Sequence, residues 1–123
     1  MKIFKDNKKY GEKVNFIDDN NVFVGYDLSQ DCCEHADFYI SEKEESGIIE
    51  NKITEGLETY NFDTEYFKEV AYFDGDAGGI ARFRLVAKDK PDLFLHLFNS
   101  HNGYYSHGFT AKIGDLAWKE GLL

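Results

Sequence analysis

Runs of alternating apolar and polar residues, separated by short turn clusters, constrain the fold of this chain more than any other feature. Alternation with a period of two places successive side chains on opposite faces of a β-sheet. The runs of the C-terminal half are residues 80–87, 93–100, 104–113 and 116–119, and the turns between them are Lys88-Asp89-Lys90-Pro91, Asn102-Gly103 and Gly114-Asp115. Because Asn-Gly favours the tight turn of a hairpin, the pattern predicts an antiparallel meander of hairpins from residue 70 onward.

The N-terminal half has the same character. Residues 13–28 predict a hairpin around the turn cluster Asp18-Asp19-Asn20-Asn21, and residues 57–62 and 66–73 predict two further strands. Residues 41–56 predict a loop with at most one helical turn, because Ser46-Gly47 would end a helix early. The predicted fold class is therefore mainly β, with a minimally helical α+β fold as the alternative.

Length and composition predict one packed domain over residues 1–123. A chain of this length has too little core for two independent domains, and 42% hydrophobic residues lie above the range of disordered chains. No apolar run approaches the ~20 residues of a membrane span, and the first residues lack the pattern of a signal peptide. Cys32 and Cys33 are adjacent and have no third cysteine to pair with. Free thiols predict a reducing, cytoplasmic setting.

Charge is distributed unevenly along the chain. The net charge is −9, but residues 18–76 hold 17 acidic residues against three lysines, a net charge of −14. Direct binding of a nucleic-acid backbone is disfavoured, because that affinity comes from lysines and arginines at phosphates. The acidic surface is explained either by solubility or by attraction of a basic protein partner, such as a nucleic-acid-binding protein.

The Asn102-Gly103 turn also predicts which side chains share a face. A two-residue loop would place Phe98 opposite His107 and His96 opposite Phe109, with the two histidines within about 7 Å. Residues 93, 95 and 97, all leucines, would then face the core. The opposite face would carry Phe94, His96, Phe98, Tyr105, His107 and Phe109. Such an aromatic face predicts either a second core layer under another segment or a groove for a ligand or partner.

Cysteine and histidine are the usual zinc ligands, and the chain offers one combination of them. Cys33 and His35 could join His96 and His107 of the predicted hairpin. The chain lacks the Cys-x-x-Cys or His-x-x-x-His pairs of structural zinc sites, so no cofactor is predicted, with zinc as the alternative. Buried thiols and hydrogen-bonded histidines explain the same residues. A nucleophilic Cys33–His35 pair is conceivable, but no catalytic residue is assigned.

Two segments resemble a known group of proteins. Gln30-Asp31-Cys32-Cys33-Glu34, within residues 25–37, resembles a motif of small uncharacterised proteins from bacteria and their phages. Residues 96–109 resemble a companion motif of the same proteins. The resemblance implies a bacterial or phage setting and carries no assigned activity. The residues predicted to form a binding surface are the aromatic Phe94, Phe98, Tyr105 and Phe109 and the acidic Asp31, Glu34 and Asp37.

These features lead to three functional hypotheses. The first is a non-catalytic acidic interaction module that binds a basic or nucleic-acid-binding protein, for example a phage-encoded inhibitor of a host nucleic-acid enzyme or defence protein. The second is a zinc-type metal-binding domain with a hydrolytic role. The third is a structural domain whose unusual motifs only pack. The sequence does not specify the oligomeric state.

Overall fold

The computed structural model describes ten strands and no helix in residues 1–8, 11–28, 35–44, 52–71, 77–101 and 107–123. The strands are β1 (Lys2–Lys8), β2 (Gly11–Ile17), β3 (Val22–Asp27), β4 (His35–Ser41), β5 (Asn61–Phe62), β6 (Lys68–Ala71), β7 (Ala77–Val86), β8 (Leu93–His101), β9 (Gly108–Ile113) and β10 (Leu116–Leu122). No helix in these ranges is long and apolar enough to span a membrane.

The strands form two antiparallel sheets of five strands each. Sheet A has the order β1-β2-β3-β9-β10. Sheet B has the order β4-β8-β7-β5, and β6 pairs with β7 as well. The predicted β class is confirmed, and a single β domain fits both sheets.

The inner faces of the two sheets share one hydrophobic core. Val14 and Phe16 come from β2 of sheet A, and Phe83 comes from β7 of sheet B; all three are fully buried within one cluster. The leucines at positions 93, 95 and 97 of β8 join this cluster, as the alternation predicts. Burial of a side chain of this size contributes about 1.5–3 kcal/mol, so this core is the main source of stability.

The predicted hairpin at residues 13–28 is confirmed. Lys13 pairs with Asp27 and Ile17 with Phe23 across β2 and β3. The connecting turn is organised by Asp18, whose Oδ1 accepts hydrogen bonds from the backbone N–H groups of Asn20 (3.0 Å) and Val22 (2.8 Å). Aspartate is common at such turns because its short carboxylate side chain can accept hydrogen bonds from the backbone N–H groups of the residues that follow it.

The predicted pairing of β8 with β9 is wrong. Both edges of β8 are occupied, by β4 on one side and β7 on the other, and β9 lies between β3 and β10 in the other sheet. The chain therefore changes sheets between these strands, and the predicted meander does not run unbroken to the C-terminus. Asn102-Gly103 lies outside the described residues. An Asn-Gly turn predicts a local hairpin, but β8 already pairs with β7, which directly precedes it, and with β4 from a distant part of the chain.

The strands predicted between residues 57 and 73 begin later than expected. In the described part of this range, which ends at Ala71, strand pairing covers Asn61–Phe62 and Lys68–Ala71, both with β7. Strand β1 at residues 2–8 was not among the predicted strands. Its five polar residues weaken the alternation, and they suit its place at an edge of sheet A: Lys2, Lys5, Asp6, Asn7 and Lys8.

Candidate functional site

A row of four side chains crosses the outer face of sheet B, the face turned away from sheet A. In register from β4 to β6, these residues are Tyr39, His96, Arg82 and Lys68. We call this set the His96 row. His96 is 0% exposed and Arg82 only 5% exposed. Two polar side chains this deeply buried need hydrogen-bond partners. The strand register determines which residues lie close enough to serve as partners.

The hydrogen bonds around His96 fix its tautomer. The Arg82 Nε–H donates to His96 Nδ1 (3.1 Å), so Nδ1 is unprotonated. The proton then lies on Nε2, which donates to Ser41 Oγ (3.0 Å), and the Ser41 hydroxyl donates to the Lys43 carbonyl (3.0 Å). The Tyr39 ring stacks on the imidazole at 4.2 Å between centroids. Each nitrogen of this imidazole is therefore occupied.

His96 is held in its neutral form. Burial lowers the pKa of His96 to about 4, and the neighbouring Arg82 charge acts in the same direction. Within the described residues, the His96 imidazole contacts no carboxylate that would stabilise its protonated form. Arg82 therefore donates to a neutral acceptor and gains no charge compensation from it.

A second group of charges adjoins the row at its exposed end. The Glu44 carboxylate accepts from the Tyr66 hydroxyl (2.7 Å) and pairs with Lys68. These two hydrogen bonds lower the pKa of Glu44. Burial and the adjacent Glu44 raise the pKa of Tyr66 to about 12, so its hydroxyl stays a donor. Arg84 pairs with Asp63 (2.8 Å) and lies over the Tyr66 ring.

His107 lies in a different environment. Its Nδ1 is 2.6 Å from the Asp27 carbonyl, and its ring contacts Tyr26 with centroids 6.2 Å apart. His107 immediately precedes β9 of sheet A, and its backbone N–H and carbonyl are hydrogen-bonded to the backbone of Leu123. The register that was expected to place His96 and His107 side by side is therefore wrong, because their strands belong to different sheets.

The zinc hypothesis stays a prediction. Cys33 lies outside the described residues, and of His35 only the backbone, in β4, is described. No group of three or more histidine, cysteine or acidic side chains in the described part of the chain could hold a metal ion. The two histidines that are described, at positions 96 and 107, share no partner in these contacts.

The predicted aromatic face is divided between two layers. Phe94 and Phe98 lie on the outer face of sheet B, where both are at most 9% exposed. Phe109 instead lies in the core between the sheets and packs against Phe83. Its expected place opposite His96 is wrong for the same reason as for His107, since Phe109 pairs with Tyr26 of β3. Tyr105 lies outside the described residues, so its predicted role stays a prediction.

Of the three acidic residues predicted to bind, only one is described. Asp37 is half-buried in β4, and its Oδ1 accepts from the Phe38 backbone N–H at 2.8 Å. Asp31 and Glu34 lie outside the described residues.

Sequence reasoning identified His96 but missed its partners. Arg82 and Arg84 occupy alternate positions of β7, among apolar residues. Two arginines on one face of an otherwise apolar strand indicate that this face contacts polar groups. The sequence alone therefore carried a sign of the partners of His96. Ser41 and Tyr66 carry no comparable signal, because they reach the row from distant parts of the chain.

A second feature is an acidic end of the molecule, formed by the connections at residues 18–21, 41–44, 52–60 and 87–92. Together they hold eight acidic residues against four lysines. Six of these acidic residues have exposed side chains: Asp19, Glu42, Glu55, Glu58, Asp89 and Asp92. None of these six is ion-paired with a base in the described ranges.

Hydrogen bonds hold these connections together. Asp18 Oδ2 accepts from the Phe62 N–H (2.8 Å), and Asn61 Oδ1 accepts from the Asp19 N–H (3.1 Å). The Tyr60 hydroxyl donates to the Pro91 carbonyl at 2.8 Å. Burial raises the pKa of Tyr60, and so does the negative charge of Glu42 and Asp92. The acidic end therefore presents its charges from an ordered frame.

Comparison with known proteins places the chain in a family. No curated protein matches it, and no solved structure matches it. A family model, Domain of unknown function (DUF7448), matches residues 1–111 of the 123. Since the match covers most of both sheets, the chain belongs to the DUF7448 family.

Proposed function

We propose that this domain is a non-catalytic interaction module that binds a basic protein through its acidic end. The observation that carries the proposal is the set of six exposed carboxylates, presented by connections that hydrogen bonds hold in place. A preordered charged surface loses little entropy on binding, and unpaired charges speed the encounter with a partner of opposite sign.

The charge of the molecule also limits the class of partner. A net charge of −9 repels nucleic acid, whereas it attracts a protein that itself binds nucleic acid. The narrower form of the proposal is a phage-encoded inhibitor that occupies the basic surface of a host nucleic-acid enzyme or defence protein. We place this interaction in the cytoplasm, where adjacent free cysteines persist.

The first prediction tests whether the acidic end is the binding surface. The triple variant Asp19→Asn, Glu58→Gln, Asp92→Asn removes three exposed charges from that end. We expect its affinity for a decalysine peptide at low salt to fall about tenfold, since each lost contact of opposite charge contributes a few tenths of a kcal/mol. Isothermal titration calorimetry at several salt concentrations measures this.

The matched control is the triple variant Glu65→Gln, Glu69→Gln, Glu120→Gln. It changes the net charge by the same amount at exposed positions outside the acidic end. Its loss of affinity should be clearly smaller. Equal losses in the two triple variants would mean that only net charge attracts the peptide, and a binding constant indifferent to salt would rule out the electrostatic mechanism.

A further inference from the structure

Arg82 carries a buried positive charge that the neighbouring carboxylates do not neutralise. It is 5% exposed, and the carboxylates of Glu44 and Asp63 are engaged elsewhere, Glu44 with Lys68 and Asp63 with Arg84. Among the described residues, no carboxylate oxygen lies within 4.0 Å of its guanidinium. Within the described ranges, this group of Arg82, Lys68, Arg84, Glu44 and Asp63 has three cations and two anions, a net charge of +1.

The hydrogen-bonding capacity of Arg82 is only partly used. A guanidinium has five N–H donors, and the one on Nε is the donor to His96. The four on Nη1 and Nη2 have no acceptor in the described part of the chain. A buried cation without a counter-ion is costly, because charges taken out of water are normally paired and hydrogen-bonded, and an anionic ligand would supply both.

We propose that Arg82 and Lys68 together bind an oxyanion, the phosphate or carboxylate group of a small ligand. The planar fork of arginine suits two oxygens of such a group, and the lysine ammonium adds a second charge from the adjacent strand. The two residues are direct cross-strand neighbours on β7 and β6. The neutral His96 holds Arg82 Nε, which fixes the orientation of the fork.

The two ends of the His96 row differ in their exposure to solvent. His96 is fully buried at one side of Arg82, whereas Lys68 and Glu44 at the other side have side chains that are 50% and 38% exposed. A ligand would approach from the Lys68 side and meet Glu44 there. This site lies on the outer face of sheet B and shares only Glu44 with the acidic end. Glu44 is not one of the exposed carboxylates on which the proposed function rests, so the two proposals are tested independently.

The experiment follows the arginine side chains directly. The chain has only two arginines, Arg82 and Arg84, so a ¹⁵N spectrum of the guanidinium groups resolves two sets of signals, assigned with the Arg84→Lys variant. Sodium phosphate and sodium acetate are titrated at constant ionic strength, with sodium chloride as the reference. We expect the Arg82 signals to shift and saturate, while those of Arg84, already paired with Asp63, stay in place.

The response to the two anions identifies the source of the oxyanion. Tighter saturation by phosphate indicates a phosphate-bearing ligand, and tighter saturation by acetate indicates a carboxylate. Three results overturn the proposal: no shift at Arg82, a shift that grows without saturation, or the same shift in chloride.

Glu44→Gln gives a second test that does not disturb the buried arginine. Removing the nearby negative charge should tighten anion binding about three- to tenfold, whereas the exposed control Glu69→Gln on the opposite face of β6 should leave it unchanged. Lys68→Gln should weaken binding by a similar factor. Unchanged affinity in both Glu44→Gln and Lys68→Gln would remove the site.

Discussion

At the scale of single residues, His96 makes stability depend on pH. Its folded pKa of about 4 lies below the ordinary value of 6.5, so the unfolded chain binds a proton first as the pH falls. The contribution of neutral His96 to the free energy of unfolding is fully present above pH 6.5. It is lost as the pH falls from 6.5 to 4, a loss of up to about 3 kcal/mol. Urea unfolding at pH 7, 6 and 5 measures this decline.

The variant His96→Gln separates this effect from the titration of other groups. Glutamine keeps one acceptor and one donor for Arg82 and Ser41, but it cannot take up a proton. We expect it to be less stable than the wild type at pH 7, by about 1–3 kcal/mol, because the stacked ring is lost. Its stability should then fall less between pH 6.5 and 4. The same pH dependence in both proteins would contradict the assignment to His96.

At the scale of structural elements, the β2–β3 turn is a connection whose conformation depends on hydrogen bonds to one side chain. Asp18 is 8% exposed and accepts from three backbone N–H groups, those of Asn20, Val22 and Phe62. Asp18→Ala leaves these donors without that acceptor, and we expect a loss of about 2–4 kcal/mol in the free energy of unfolding. Asp18→Asn, which keeps one carbonyl oxygen, should lose about half as much.

The neighbouring Asp19→Ala is the matched control for this element. Its side chain is exposed, and only its backbone N–H takes part in the described hydrogen bonds, so its effect should stay within about 0.5 kcal/mol. Chemical denaturation of the three variants gives the comparison. A loss at Asp19 as large as that at Asp18 would show that charge, and not backbone hydrogen bonding, stabilises the turn.

Elements also show where sequence reasoning succeeds and where it fails. The turn at Asp18 was predictable because two of its hydrogen bonds lie within five residues. The leucines of β8 were predictable as core because alternation alone assigns them to one face. The strand that pairs with β9 was not predictable from the sequence, because β9 can pair with β8 only if no other strand occupies the edges of β8. His96 was identifiable by residue type, whereas Arg82 and Ser41 meet it only through the pairing of β4 and β7 with β8.

At the scale of the whole molecule, the amino terminus joins the two sheets. Met1 precedes β1 of sheet A and is 5% exposed, and its ammonium donates to three carbonyls of the connection that leads to β5 of sheet B. These are the carbonyls of Leu57 (3.0 Å), Glu58 (3.1 Å) and Tyr60 (2.8 Å). These charge-assisted hydrogen bonds, which are stronger than neutral ones, add to the packing of Met1, Leu57 and Tyr60 in the shared core.

Extending the chain before Met1 should therefore destabilise the whole domain. An added residue turns the ammonium, with three N–H donors and a charge, into an amide with one, and leaves at least two of the three carbonyls without this donor. We expect the melting temperature to fall by roughly 10 °C, since a loss of about 2–4 kcal/mol shifts a domain of this size by that order. Differential scanning calorimetry compares a tagged protein with the same sample after a protease has removed every residue before Met1. Because the two samples differ only in the extension, equal melting temperatures would mean that the ammonium contacts contribute nothing to the joining of the sheets.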